Sequence, residues 1–503
     1  MLRLTLGLLA ARTVWLTSEL LLRTGRAQRH HVESILFLVV GVTAILLVGD
    51  RDDHRSHPTH RRLPAWCVFA AALMVAFVLY WPVLRLGFLS DDFVLIDRAL
   101  RGEFVSPAHE FVRPLPLMLW RLVVIAGGGA MAIHALNVIF HGVNGALTWR
   151  LARQMGTSEN GALVAGLLFL VWPTQVESVA WASGISDVLM TTLVLAAITI
   201  CLGRAQQSSG RRIVLVSMLA VAALLTKETA AAIPALFLLG FVPGWMVRPP
   251  TRRELFDVGI VALVCTTFVV WRIVFRFSTV DWAAPVLSRY TVKELLSRVF
   301  GGLAVPFTAD WIRRFPVVAL LFAAVVLVVV ITPALAGHRG ASSRWLLLCA
   351  ALWPVLAAAP ALGYLLIGGY LEGSRYLYLP SAGWVILLVG SGASIPHIRH
   401  GALTVAIVCA ALAVSYVQGR WLLRDWDAAA ERREMILLNA HQALDTSSCA
   451  TGTFRGAPES YRAAQLFRNG LDEAVRLSTG GGQSRVGRGT CEFDWMDNGF
   501  RRR

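Results

Sequence analysis

Apolar runs of about 20 residues recur along most of the chain, each long enough to cross a bilayer as a helix. They are continuous rather than alternating, which excludes a transmembrane barrel. Residues 1–32 read as one amphipathic or poorly inserted helix, interrupted by Arg12 and Glu19, with no cleavable signal peptide. Val32–Val48 reads as a span and Asp50–Arg62 as a solvated loop rich in arginine and histidine. Ala65–Leu84 is the first strong span. Pro114 starts a helix, Gly127–Gly129 breaks it, and Ala130–Leu151 continues as a span. Further spans are predicted at Ala162–Val171, extending toward Trp181, then Val188–Leu202, Ile213–Leu225, Ala230–Phe241 and Leu255–Val274. After a long loop, Phe277–Phe315, come Val317–Leu335, Trp345–Ile367, Tyr376–Val389 and Leu403–Val417. That makes about eleven crossings. Inside the long loop, Tyr290–Val305 has the pattern of an interfacial amphipathic helix.

Beyond Val417 the pattern changes. Arg420–Asp445 and Glu459–Leu477 read as amphipathic helices, the second with Tyr461, Leu466, Leu471 and Val475 on one stripe. The expected fold class is therefore all-α, a polytopic transmembrane helical bundle with a short helical C-terminal extramembrane tail. Its segments are residues 1–64 (N-terminal helices and a cytoplasmic loop), 65–419 (the transmembrane domain) and 420–503 (the tail).

Composition agrees with a bilayer as solvent. Hydrophobic residues make up 56% of the chain and charged residues 16%, against about 25% charged in soluble domains. The formal net charge is +16. Almost all of the positive charge is arginine in short loops, at Arg150/Arg153, Arg204/Arg211/Arg212, Arg248/Arg252/Arg253, Arg339/Arg344 and Arg399. Such loops orient a membrane protein with that side in the cytoplasm and do not suggest nucleic-acid binding. The partner this composition calls for is a lipid bilayer. Five of the seven cysteines lie in apolar segments, whereas Cys449 and Cys491 lie in the tail, where they could form a disulfide in an oxidising compartment.

The candidate chemistry falls on the other, non-cytoplasmic side. Asp91 and Asp92 follow the first strong span, in the stretch Gly87–Pro114. A carboxylate at a bilayer edge is costly, and partial desolvation suits it to general-base work, unless the loop simply leaves the membrane with its acids solvated. Two adjacent carboxylates could also hold a divalent cation, but no full ligand set accompanies them, so the metal is left unknown and no other cofactor is implied. Arg113, at a helix start, suits a phosphate, or else snorkels to water. His134, Asn137 and His141 share a helix face and read as metal ligands or as polar packing between helices. Glu177 and Asp187 flank a turn at the outer face, where they could bind acceptor hydroxyls or cap the turn. Lys227–Glu228 lies between two apolar runs; lysine occurs elsewhere only at Lys293, so the pair reads as a compact ammonium placed for a phosphate or as a simple interfacial ion pair. Arg375, within Glu372–Tyr378, is a candidate anion ligand. No P-loop, HExxH, GxSxG or CxxC pattern is present.

In order, Ser90-Asp-Asp-Phe93, Arg113-Pro-Leu115, His134-Ala-Leu-Asn137 with His141, Pro173–Val179, Lys227-Glu228 and Ser374–Ser381 resemble the GT-C superfamily of membrane glycosyltransferases. The likeness is to the transmembrane-and-TPR O-mannosyltransferases and to bacterial family 39-like proteins, over roughly residues 65–420. The resemblance implies a polyprenyl-phosphate-linked sugar donor, a protein or glycan acceptor, and inverting transfer on the periplasmic or lumenal face, in a multi-pass protein of the bacterial inner membrane. It implies Asp91 as general base with Asp92 beside it. Arg113, Arg375 and Lys227 would bind the donor phosphate, and Glu177, Asp187, Glu228, His134 and His141 would contact sugar or acceptor. The chain departs from the pattern at Gln175, where histidine is common, and at Ile185, where arginine is common. Its tail has room for at most two helical repeats of roughly 34 residues. Alternatives are a ligase or polymerase of lipid-linked glycans, a relative without catalysis, and a polyprenyl-phosphate lipid transporter. A transporter would carry internally repeated halves and helices interrupted near the midplane, and neither is evident.

Overall fold

The structure, a computed structural model, describes residues 64–105, 112–203, 209–245, 249–274, 291–335, 341–392, 402–447, 449, 451–478, 490–496 and 499–502. The expected N-terminal helix, the Val32–Val48 span and the Asp50–Arg62 loop lie outside these residues.

Helix α1 (Ala65–Tyr80) runs into a 3-10 turn, Trp81–Arg85, and then into the stretch that carries the acidic pair. Helix α2 (Asp91–Arg101) follows, then α3 (Pro114–Ile125), α4 (Ala130–Gln154) and α5 (Glu159–Val171). Prolines in the first turn of α3 cost nothing, because those N–H groups have no intrahelical partner. Ser158 caps α5 through its hydroxyl, which accepts from the Gly161 N–H. At Trp172–Pro173 the chain turns by 50° into α6 (Val176–Ala180). The residue before a proline is driven to extended backbone, and Trp172 adopts φ −63°, ψ 127°. The run predicted to continue toward Trp181 therefore bends, and α7 (Ile185–Leu202) leads back.

Helices α8 (Ser209–Thr226), α9 (Ile233–Trp245) and α10 (Arg252–Val274) come next. The amphipathic pattern near Tyr290–Val305 appears as α11 (Val292–Ala304), opened by a reciprocal capping box between Thr291 and Glu294. A short α12 (Ala309–Arg314), α13 (Pro316–Leu335), α14 (Ala341–Ala358) and α15 (Tyr378–Gly392) complete the bundle. Its core sits where α4 meets α1, α5 and α7, with α8 on α7 and α14 on α15.

Among the described residues, six helices are long and apolar enough to cross a membrane, or up to seven if the bent pair around Trp172 is one span. Pro114–Ile125, Glu228–Val242 and Pro316–Ile331 are apolar but shorter. The expected eleven crossings are thus not all met by single long helices.

The tail departs most from expectation. The last apolar run and the amphipathic stretch after it are one 46-residue helix, α16 (Ala402–Ser447). The second predicted tail helix is not formed as such. Its N-terminal half is a small hairpin, β2 (Ser460–Tyr461) with β3 (Ala464–Gln465), and only its end is helical, α17 (Leu471–Ser478). Strand β1 (Thr451–Arg455) pairs in parallel with β4 (Thr490–Met496), which pairs antiparallel with β5 (Gly499–Arg502). Phe454 and Phe493 stack at 5.1 Å in this sheet. Both stripe residues that α17 keeps, Leu471 and Val475, are buried. A two-residue strand gives no alternation to read, so helical spacing prevailed in the sequence.

Cys449 and Cys491 are joined, with Cα atoms 6.1 Å apart. For the 42-residue separation, chain entropy alone gives about 4 kcal/mol of stabilisation. Cys491→Ser is expected to expose residues beyond Ser447 to limited proteolysis while the bundle stays resistant. Equal resistance of mutant and wild type would show that the bridge does not hold this unit together.

Candidate active site

The site forms where helix ends and short extended segments meet. Arg113 precedes α3, with φ −133°. Lys227 is extended, at φ −157°, between α8 and the 3-10 turn Glu228–Ala232. Arg375 lies in the 3-10 turn Ser374–Leu377 ahead of α15. Irregular backbone at membrane depth is tolerated where protein surrounds it, and such backbone leaves polar groups free to face a cavity.

Asp91 and Asp92 open α2 but face different ways. Asp92 is fully buried. One carboxylate oxygen accepts the Leu89 N–H at 2.9 Å, and the other accepts the Ser183 N–H at 2.7 Å and the Ser183 hydroxyl. It ties the start of α2 to the turn Ala182–Gly184. Asp91 is half-buried and accepts from Asn469 Nδ2 at 2.7 Å. The expected catalytic pair is thus divided: Asp92 anchors a turn, and Asp91 alone keeps an outward carboxylate. Burial pushes Asp92 up to about 7, against the three donors that lower it.

The cations converge. Arg113 forms a forked pair with Glu228, Nε to Oε2 at 3.1 Å and Nη2 to Oε1 at 2.5 Å. Lys227 is buried in an ion pair with Asp187, and its ammonium lies 4.8 Å from the Tyr376 ring centre. The Arg375 guanidinium lies 4.6 Å from the ring centre of Trp181 and 5.3 Å from that of Tyr376. Burial alone would weaken the charge of Arg375, but Tyr376, Glu177, Asp187 and Asp91 outweigh that and raise its pKa. Arg113 likewise feels Tyr376 and Asp187. Asp91, Arg113, Glu177, Asp187, Lys227, Glu228 and Arg375 therefore belong to one electrostatic neighbourhood.

Glu177 accepts the Arg375 N–H at 2.9 Å and the Ser374 hydroxyl at 3.3 Å, so it holds the turn that carries Arg375. The histidines expected to contact sugar or acceptor are engaged within the bundle. Nδ1 of His141 meets the Tyr378 hydroxyl at 2.8 Å and Nε2 meets the Leu170 carbonyl at 3.0 Å. His134 Nε2 lies 2.9 Å from the Gly87 carbonyl. They join helices, as polar packing predicts. Asn137 does the same, with Nδ2 donating to the Trp181 carbonyl at 2.8 Å.

Asp92 does not suit a divalent ion. Among the described residues no group of three or more His, Cys, Asp or Glu side chains could hold a metal. Every group that meets Asp92 is an N–H or O–H donor, aimed at the lone pairs a cation would need.

An apolar groove of about 540 Å³ opens on the bundle between α3, α8 and α10. Its lining runs along α8 from Ile213 to Leu225, roughly 18 Å of helix at 1.5 Å per residue. Leu115 and Leu225 line it, each two residues from a site cation, Arg113 and Lys227 respectively.

Sequence reasoning missed Ser183, Trp181 and Asn469. Ser183 and Trp181 sit in the turn already singled out between Glu177 and Asp187. Asn469 carries no motif and is 378 residues from Asp91.

These features define a polytopic helical membrane protein that gathers acids and cations around one site beside an apolar groove. No protein-family model matches the chain. It is 34% identical over 204 residues to protein O-mannosyl-transferase Tmtc1 of Drosophila melanogaster, covering 37% of this chain and 23% of that protein. To Tmtc2 of the same organism it is 33% identical over 141 residues, covering 24% and 15%. Over these stretches the chain is homologous to the Tmtc O-mannosyl-transferases, and it matches less than a quarter of the length of either. Among solved structures it is similar to ArnT from Cupriavidus metallidurans bound to undecaprenyl phosphate (TM-score 0.44, 15% identity, 86% of this chain and 93% of that one). It is also similar to an Archaeoglobus fulgidus oligosaccharyltransferase (0.41, 12%, 85% and 63%) and to the arabinosyltransferase EmbB from Mycobacterium smegmatis (0.37, 15%, 88% and 40%).

Two outcomes follow from the buried charges. Asp187→Ala leaves Lys227 buried without its carboxylate and is expected to cost about 3–5 kcal/mol, most of it recovered in Asp187→Leu/Lys227→Met. Thermal melts in detergent read both, and a double variant as unstable as the single would contradict the pairing. For Asp92 the fold favours the protonated form, so its stabilising contribution is greatest in acid and is lost as pH rises from 3.8 toward about 7. The Tm of wild type minus that of Asp92→Asn is therefore expected to fall across this window. A rising difference would mean that the ionised form is the favoured one.

Proposed function

We propose that this protein is a GT-C-type glycosyltransferase that moves a sugar from a polyprenyl-phosphate-linked donor to an acceptor hydroxyl at the non-cytoplasmic face. The observation that carries the reading is the gathering of Asp91, Arg113 and Arg375 in one electrostatic neighbourhood, beside an apolar groove lined in part by Leu115 and Leu225. The motif resemblance and the homology to O-mannosyl-transferases support sugar transfer as the chemistry.

In this reading the lipid tail lies along α8 and α10, and the phosphate reaches Arg375 and Arg113. The acceptor oxygen attacks the anomeric carbon from the side opposite the phosphate, inverting it. Asp91 takes the hydroxyl proton, the bond between sugar carbon and phosphate oxygen breaks, and the departing phosphate keeps the electron pair. The guanidinium groups stabilise the charge that develops there. Glu177 acts by holding the Arg375 turn, and Glu228 by fixing the Arg113 fork. Asp187 neutralises Lys227, whose ammonium stays within reach of Tyr376 and contributes to the local field. A protein or glycan acceptor would approach from the Asp91 side, which the tail borders.

The test is transfer by the full chain in purified membranes supplied with polyprenyl-phosphate sugars. Asp91→Asn is expected to lower kcat by about 10²–10⁴-fold, the usual worth of a general base. Transfer by Asp91→Asn at the wild-type rate would overturn the assignment of the base. Movement of the lipid between leaflets by a wild type that transfers no sugar would favour a transporter instead.

A further inference from the structure

The C-terminal unit reaches back 378 residues to touch the start of α2. Ser90, the residue before Asp91, has φ +48° and ψ −118°, a conformation that L side chains rarely adopt. Such backbone persists only where its surroundings hold it, and such positions concentrate at functional sites. The holding groups come from residues 466–470. The Ser90 N–H donates to the Leu466 carbonyl at 2.7 Å, and the Asn469 N–H donates to the Ser90 hydroxyl at 3.4 Å. Gly470 packs so closely that a Cβ there would stand 2.6 Å from the Ser90 carbonyl oxygen. Phe467 stacks on Phe93 with ring centres 6.0 Å apart.

The contact is broad. Arg433 of α16 donates to the carbonyls of Leu86 at 2.7 Å and Phe88 at 2.8 Å, just upstream. Arg476 of α17 pairs with Asp97 at 2.9 Å, just downstream. At the centre, Asn469 Nδ2 donates to Asp91 Oδ1 at 2.7 Å. Asn469 itself is exposed. An exposed asparagine whose amide meets an outward carboxylate adds little to a core, but it selects the rotamer of that carboxylate.

We propose that residues 466–470 are a clamp that sets the strained Ser90 turn and aims Asp91, with Asn469 as a positioning residue. This rests on the reading of Asp91 as the base. The amide donates to one carboxylate oxygen and leaves the second to accept the acceptor's proton. The C-terminal unit thus belongs to the catalytic arrangement, acting through Asp91, in addition to any part it takes in binding an acceptor.

The test uses the full chain in the transfer assay, with a thermal melt of each variant. Asn469→Ala is expected to lower kcat about 10- to 100-fold, the scale of a misaimed reacting group, with donor KM and Tm unchanged. Asn469→Asp should fall further, because it sets a carboxylate against Asp91. Addition of Asn469→Ala to Asp91→Asn should cause no additional loss. Wild-type kcat in Asn469→Ala, or a loss that tracks a lowered Tm equally in both Asn469 variants, would overturn the clamp while leaving the base assignment intact. Wild-type activity in Asp91→Asn would instead overturn the base assignment on which the clamp depends.

Discussion

A charge at the end of an apolar bundle must meet an opposite charge, and this rule organises the site. Removal of a carboxylate or ammonium from water costs several kcal/mol unless a partner answers it. Lys227 is answered by Asp187, and Arg113 by Glu228 in a two-pronged fork. Arg375 differs. Glu177 binds the backbone N–H of Arg375, while the guanidinium rests over Trp181 with its Nε buried and without a hydrogen-bond partner among the described residues. An unpartnered guanidinium N–H is a ready donor to an anion, and a phosphate suits such a planar fork.

The same rule divides the adjacent acids. Asp92 pays for its burial with three donors from the chain, which makes it a fixed part of the scaffold. Asp91 holds one amide from the C-terminal unit and remains only half-buried. The small sheet and its disulfide keep the unit that carries this amide folded.

The sequence made the helical membrane bundle legible, for a physical reason. Runs of 20 apolar residues state their own environment, and the cost of charge at their ends makes Arg113, Lys227 and Arg375 conspicuous. What it could not show was direction. Asp91 and Asp92 are identical in type and adjacent, and only the turn at Ser183 decides which one faces inward. Leu170 and Tyr378 occupy both ring nitrogens of His141, and the Gly87 carbonyl meets one nitrogen of His134, contacts no spacing rule could reveal. The tail was misread because strands of two residues carry no period, and Asn469 was missed because nothing local distinguishes an asparagine that reaches a distant helix end.

In the proposed reading the base and the phosphate-binding arginines stand at the mouth of a lipid groove. A structure of the full chain in a lipid nanodisc with a polyprenyl phosphate tests it most directly. Phosphate density is expected at Arg375, within reach of Arg113, with the tail running along α8 and Asp91 facing the phosphate. Phosphate bound at the opposite end of the bundle, or a tail path that avoids the groove, would contradict it.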